Sequence, residues 1–327
     1  MKTSIQYVRL CVLICLFFIS SSPSFSQSIT AANGKIEVGL GIGPSFFLGD
    51  LGGNRGEGKT FIKDINLPFT KLMKGLMINF YPSEWIGFRL AVNLGRLEAY
   101  DSIIDNKGSA ERFRKQRNLG FRSDIAEAYI AAEIYPTIIL EKYNGLQSKL
   151  RPYGLAGFGI FHFNPKAEFI SPSGYKDWVE LKPLHLEGQG FPEYPQRKEY
   201  SLTQPALLMG GGVKYYVTES IYIGFEILHR KTFTDYIDDV STKYIDPYLF
   251  NVHLSSEQAV IARQLAYREK IANPSINRPY INLQRGDPIQ NDAFFSSVLR
   301  FGWRLNGSNG SSSTQRAKKQ LKCPVFY

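Results

Sequence analysis

Cysteine is scarce in this 327-residue sequence and poorly placed for cross-linking. Two of its three cysteines, Cys11 and Cys15, fall within the first fifteen residues, leaving Cys323 alone near the other end. A single cysteine makes no internal disulfide, so no disulfide framework holds the fold. Long hydrophobic runs are missing as well. "LCVLICLFFI" (Leu10–Ile19) is ten residues, half of the ~20 that a helix needs to cross a ~30 Å hydrocarbon core. No later stretch approaches ~18 apolar residues free of charge, which excludes a transmembrane helix. The four histidines stand singly, with no zinc-ligand spacing among them. "GGG" (210–212) has no helix after it and is no phosphate loop.

What is present begins with an export signal. Lys2 and Arg9 precede the apolar run, and Ser24 and Ser26 stand as small residues before a cut at Gln27. Bulky Ile14 before Cys15 argues against a lipoprotein anchor. Removing residues 1–26 takes Lys2 and Arg9 with it and lowers the formal charge from +10 to +8. On an exported chain that surplus points to anionic lipid or acidic protein and away from nucleic acid.

Apolar residues then recur with period two, the strand signal. "IYIGFEILHR" places Ile221, Ile223, Phe225 and Ile227 on one face and Glu226 and Arg230 on the other. "WIGFRLAVNLGRL" and "FFSSVLRFGWRL" behave likewise, as do stretches near 35–48, 70–81, 119–135, 150–163 and 205–218. That makes eight strands, with residues 163–203 leaving a ninth and tenth open.

A soluble sandwich would also alternate, but here the second face carries charges in mid-strand: Glu37, Arg89, Glu127, Glu133, Lys214, Glu226, Arg230, Arg300 and Arg304. Gly39, Gly41, Gly43, Gly210 and Gly212 share that face. A small barrel in lipid puts its polar residues inside, where they pair and where glycine leaves room for long side chains. Connections alternate too. Those after strands one, three, five and seven run to about 20, 20, 40 and 60 residues, while those after two, four and six are short. The expectation is an all-β, eight-stranded antiparallel transmembrane β-barrel (27–305) with short periplasmic turns, long extracellular loops and both termini periplasmic. Eight strands enclose only enough space for side chains, so the lumen is expected to be plugged by mutually paired charges. Tyr81, Trp85, Tyr135, Tyr215, Tyr216, Tyr222 and Trp303 lie near strand ends and read as interfacial girdles.

The remaining chemistry is mostly structural. "FTDYIDDVSTKYID" (233–246) crowds aspartates together, yet its spacing and lack of glycine do not fit an EF-hand loop. Asp235, Asp238 and Asp239 are expected to form an ordered loop base, capping turns or pairing with Arg230, Lys231 or Arg285. "VHLSSE" offers His253, Ser255 and Glu257 as a nucleophile set, but "LSSEQAVIARQLAYREKIA" reads better as a helix with Ser255 or Ser256 at its N-cap. No catalytic residue, metal site or cofactor is expected. The end of the chain, 306–327, is a flexible linker followed by a basic run, and its Cys323 is a candidate for an intermolecular disulfide with a neighbouring subunit.

Six segments in register carry a family resemblance: "RNLGFRSDIAEAYIAAEIYP" (117–136), "RPYGLAGFGIFHFNPKA" (151–167), "WVELKPLHLEGQG" (178–190), "YSLTQPALLMGGGVKYYV" (200–217), the aspartate segment, and "RGDPIQNDAFF" (285–295). Together they resemble the PorG-like outer-membrane barrels of Bacteroidota, a component of the type IX secretion machinery. The resemblance implies a non-enzymatic barrel that associates with periplasmic secretion-ring subunits. The alternative function is a barrel for surface adhesion or ligand binding through loops 164–202 and 232–292.

Overall fold

The computed structural model describes residues 35–51, 70–83, 85–104, 110–137, 149–218, 220–269 and 279–305. The expected signal peptide (1–26) and the tail (306–327) with Cys323 lie outside the described residues. Nine strands run β1 (Lys35–Leu48), β2 (Lys71–Tyr81), β3 (Ile86–Tyr100), β4 (Gly120–Ile134), β5 (Leu150–Ile170), β6 (Lys176–Glu180), β7 (Thr203–Tyr216), β8 (Ile221–Thr232) and β9 (Ala293–Arg304). Among the described residues, three α-helices sit in the long connections: α1 (Ala110–Arg117), α2 (Tyr248–His253) and α3 (Ser256–Ala266).

Eight of the strands close into an antiparallel barrel in the order β1-β2-β3-β4-β5-β7-β8-β9, with β9 returning to β1 from Glu37↔Arg304 to Leu48↔Ala293. Closure leaves no unpaired sheet edge around the wall. The ninth strand, β6, lies outside the ring and pairs only with the far end of β5. Strand five therefore reaches Ile170, seven residues beyond the sequence expectation of 163, and forms a hairpin with β6 above the barrel.

Period-two alternation sorts the two faces. Along β3, Phe88, Leu90, Val92 and Leu94 are exposed on the outside, while Arg89, Ala91 and Asn93 are buried inside. The other barrel strands repeat this, with Leu76 and Ile78, Ile130, Phe158, Ile223 and Phe225, and Phe301 turned outward. On β3 the apolar outer stretch spans nine residues, Ile86–Leu94, matching the ~9–11 of a tilted membrane strand. Beyond it, toward the long loops, the outer face turns polar: Lys74, the Arg96–Asp124 ion pair (2.6 Å), His162 and Lys231.

Four of the seven aromatics expected at the membrane interfaces lie elsewhere. Trp85, Tyr215 and Trp303 are exposed, but Tyr81, Tyr135, Tyr216 and Tyr222 are buried inside the barrel. They share parity with inward Asn79, Glu133, Lys214 and Gly224, and their hydroxyls serve buried charges instead of an interface.

The short connections 82–85 and 217–220 lie at the end where β1 begins and β9 finishes. Connections 49–70, 101–119, 171–202 and 233–292 gather at the opposite end. There Phe121, Phe161, Phe163 and Phe294 fill the barrel mouth together with Ile237 and Val240 from the last connection. Phe161 meets Phe163 at 5.5 Å and Phe294 edge-on at 5.5 Å. Above this plug, Leu184, Leu186, Phe191, Phe250 and Leu265 build a separate core, so the cap is itself a packed body.

Candidate functional site: a charged lumen beneath an ordered cap

All nine mid-strand charges named from sequence point into the barrel. Seven join one network. Near the short-turn end, Lys214 Nζ donates to Glu37 Oε2 (3.2 Å), Glu133 Oε2 (3.1 Å) and the Tyr81 hydroxyl (2.5 Å). Arg304 donates to Glu37 Oε1 at 2.7 Å, and the Tyr216 hydroxyl donates to the same oxygen at 2.8 Å. Arg89 links two carboxylates. Its Nε donates to Glu133 at 2.8 Å and its Nη1 to Glu226 at 2.6 Å. Arg300 also pairs with Glu226, which accepts a further bond from the Tyr153 hydroxyl at 2.6 Å.

The remaining two charges make their own pair higher up. Arg230 grips Glu127 through Nε and Nη2, both at 3.0 Å, and Asn93 adds a donor at 2.7 Å. Such a planar fork is the strongest ion-pair geometry available to arginine. Taking charges out of water costs several kcal/mol per ion, and only near-complete pairing with added hydrogen bonds offsets it. That requirement explains the tyrosines. Four rings, Tyr81, Tyr135, Tyr153 and Tyr222, stand 4.7–5.6 Å from Lys214 Nζ. Their negative ring faces solvate the ammonium where water is excluded.

Glycine supplies the space. A Cβ on Gly302 would fall 2.0 Å from the Tyr222 ring, and one on Gly41 would lie 3.1 Å from Arg300 Nη1. The bulky inward side chains of β8 and β9 fit only because their cross-strand neighbours have none.

The aspartate segment forms the seam between plug and cap. Asp238 accepts from the backbone N–H of Leu51 (3.1 Å) and of Val240 (3.0 Å). Asp292 accepts from Ile237 N–H at 2.8 Å. Asp239, at φ 62°, accepts from the Tyr200 hydroxyl at 2.7 Å, and its Oδ2 lies 3.9 Å from Arg285. Of the three cationic partners anticipated, only Arg285 approaches an aspartate of this segment; Arg230 goes to Glu127 instead. Arg285 is held mainly by Glu187 (2.8 Å), a residue the sequence reading did not single out. Glu187 also accepts from Ser241 N–H and Thr242 N–H, at 3.0 and 2.8 Å. Burial raises the carboxyl pKa of Asp235 to about 8, of Asp239 to about 7 and of Asp50 to about 6, and pushes Asp238 and Asp292 up strongly. Among the described residues, no group of three or more Asp, Glu, His or Cys is arranged to hold a metal ion.

The His253–Ser255–Glu257 set does not assemble. His253 Nε2 pairs with Glu193 at 2.9 Å. Ser255 is the N-cap of α3, accepting from Gln258 N–H while the Gln258 side chain reaches back to Ser255 N–H. That is a capping box.

A cavity of about 620 Å³ opens in the cap. Tyr244, Tyr267 and Tyr280 line it, with Phe113 and Arg114 of α1 facing them and Arg117 beside them. Tyr267 and Tyr280 stack at 3.8 Å, and Tyr244 meets both edge-on. Arg117 ties three connections together, through Asp101 (2.8 Å), the Asp50 carbonyl (2.7 Å) and the Arg285 carbonyl. Nothing in the sequence announced this cavity, since its walls come from positions as distant as 50, 113 and 280.

No protein-family model matches the chain. No curated protein matches it either. Solved structures do. A major outer membrane protein from Thermus thermophilus matches at TM-score 0.35 and 11% identity, over 83% of this chain and 99% of that one. Ail, the attachment invasion locus protein of Yersinia pestis, matches at TM-score 0.34 and 10% identity, over 84% and 99%. OprG from Pseudomonas aeruginosa matches at 0.33 and 11%, over 84% and 96%. These scores are too low to carry an argument, and the barrel assignment rests on the closed strand register of this chain.

Proposed function

We propose that this chain is an outer-membrane barrel that acts as a membrane-seated anchor and interaction protein, with neither a conducting pore nor a catalytic centre. The observation that supports this most is the pairing of an apolar outer belt with a lumen filled by ion-paired side chains. Water would solvate such an interior and reject such an exterior, whereas lipid reverses both preferences. On this reading the short-turn end and both termini face the periplasm, and the cap faces outward.

The finer proposal is that the periplasmic end holds ring subunits of a type IX secretion apparatus. Its support is the six-segment resemblance, together with a basic tail placed to meet acidic partners. Cross-linking in native membranes followed by affinity purification and mass spectrometry tests it: ring subunits should co-purify with the full chain and be reduced on deleting 306–327. Equal recovery without the tail argues against anchoring through it, and no recovery at all overturns the assignment.

A second reading, ligand capture at the cell surface, draws on the cap. The described parts of the last connection, with α2 and α3, pack with Leu181, Leu184, Leu186 and Phe191 of the β5–β7 connection into one apolar core, which is more than a turn requires, and ordered long loops commonly carry binding.

A further inference from the structure

We infer that the cap cavity bounded by Tyr244, Tyr267, Tyr280, Phe113 and Arg117 is a binding site for a neutral oligosaccharide. The inference deepens the surface-capture reading and rests on the cap facing outward.

Size comes first. About 620 Å³ lies within the ~300–1,000 Å³ of small-molecule sites. The chemistry of the walls narrows the ligand. Three phenol rings form one continuous aromatic cluster. The negative face of such a ring attracts the weakly positive C–H groups on the flat side of a pyranose. A purely apolar ligand is disfavoured because Asp50, Glu269 and Asp287 share the lining with the arginines.

An anionic ligand is disfavoured for a different reason. The buried cations of the cavity are already engaged. Arg117 holds the Asp101 carboxylate and two backbone carbonyls. Arg285 holds Glu187 and the Asp239 carbonyl. The carboxylates are engaged too. Asp50 accepts Asp287 N–H at 2.7 Å, and Glu269 accepts from the Tyr267 hydroxyl. The site therefore offers aromatic faces and largely paired polar edges of both signs, with the buried Arg285 Nε left as a donor without a hydrogen-bond partner. Sugar hydroxyls, which donate and accept at once, are the complement of such a lining. A phosphate or sulfate would need an uncompensated cation.

The walls are also fixed in advance. Arg117 and Arg285 clamp the connections that carry the rings, and Asp101 accepts Leu119 N–H at 3.2 Å below α1. A site ordered before binding loses less entropy when it is filled.

The test applies detergent-solubilised full-length protein to an immobilised array of neutral and acidic oligosaccharides, then titrates a retained neutral glycan by calorimetry. The expected result is retention of neutral glycans, with affinity about tenfold weaker in Tyr280→Leu and in Phe113→Ala. Ile289→Ala, an exposed site outside the cavity, should bind as wild type. Heat-shift migration on detergent gels confirms that each variant remains a folded barrel. Retention of acidic glycans alone, no retention, or equal affinity in both cavity variants overturns the inference. The orientation is read separately. In a Cys323→Ser background, Phe113→Cys should react with an impermeant maleimide on intact cells. Absence of labelling there removes the surface reading, while the affinity of the purified protein still decides whether the cavity binds sugar.

Discussion

Replacing Lys214 with methionine removes one charge from the centre of the buried network while nearly preserving volume. Two carboxylates lose a partner, Glu37 at 3.2 Å and Glu133 at 3.1 Å. Neither is stranded. Glu37 retains Arg304 and Tyr216, and Glu133 retains Arg89 and Asn79. Breaking a buried pair costs about 3–5 kcal/mol when a charge is left uncompensated, and the surviving donors place this case at the lower end, about 3 kcal/mol. With a urea slope of about 1–3 kcal/mol per molar, the midpoint should fall by about 1–3 M. Folded barrel and unfolded chain separate on unheated detergent gels, so a urea series in micelles reads the fraction folded. The paired control is Lys214→Met with Glu133→Gln: the single variant leaves three arginines against three carboxylates, whereas the double variant leaves three against two, takes a partner from Arg89 and should be less stable still. If Lys214→Met unfolds at the wild-type midpoint, or the double variant is no less stable than the single one, the network contributes only filler and the pairing argument is refuted.

Other consequences can be checked in the same preparations. Gly302→Val drives methyl groups into the Tyr222 ring and should cost about 1–3 kcal/mol as overpacking; Tyr222→Ala in the same chain should restore folding yield. The cap should loosen with rising pH. Asp50, Asp235 and Asp239 have folded pKa values of about 6, 8 and 7, above the ordinary ~3.9, so the fold favours their protonated forms. Their favourable contribution is fully present below pH ~4 and is lost as pH rises through about 6 to 8. Limited proteolysis should therefore cut the cap faster at pH 9 than at pH 5, and Asp235→Asn should flatten the difference; equal cutting at both pH values contradicts the buried-carboxyl account. Ser255→Ala should cost α3 about 1 kcal/mol and speed amide exchange over 256–266, leaving the barrel strands unchanged.

The wall of the barrel was legible because lipid and lumen impose opposite chemistry on alternate residues. A run such as Arg89–Leu90–Ala91–Val92–Asn93 admits only one arrangement of faces. Parity also held information that residue type concealed. Tyr135 shares the face of Glu133, and Tyr216 that of Lys214, so counting by twos turns both inward, whereas the habit of tyrosine at membrane interfaces turns them out. A strand within 163–203 stayed open because "KDWVE" carries no clean alternation: only its pairing with Lys166–Ile170 makes β6 a strand. Ser255 was readable as a cap since capping is local, with the partner three residues on. Glu187, Arg117 and the tyrosine cavity were not readable. Their partners lie tens to hundreds of residues away, on connections whose path is set by packing on the plug and not by any periodic pattern.

The claim on which the rest depends is that the outer belt meets lipid while the charged face meets itself. Spin labels at Leu76, Leu90, Ile130 and Phe301, each introduced singly as cysteine in a Cys323→Ser chain reconstituted in vesicles, measure this directly through collision with oxygen and with a water-soluble nickel chelate. All four should relax with oxygen and be shielded from the chelate, with labels at Arg96 or Lys231 showing the reverse. Chelate access at the four belt positions equal to that at Arg96 would contradict a barrel seated in a membrane.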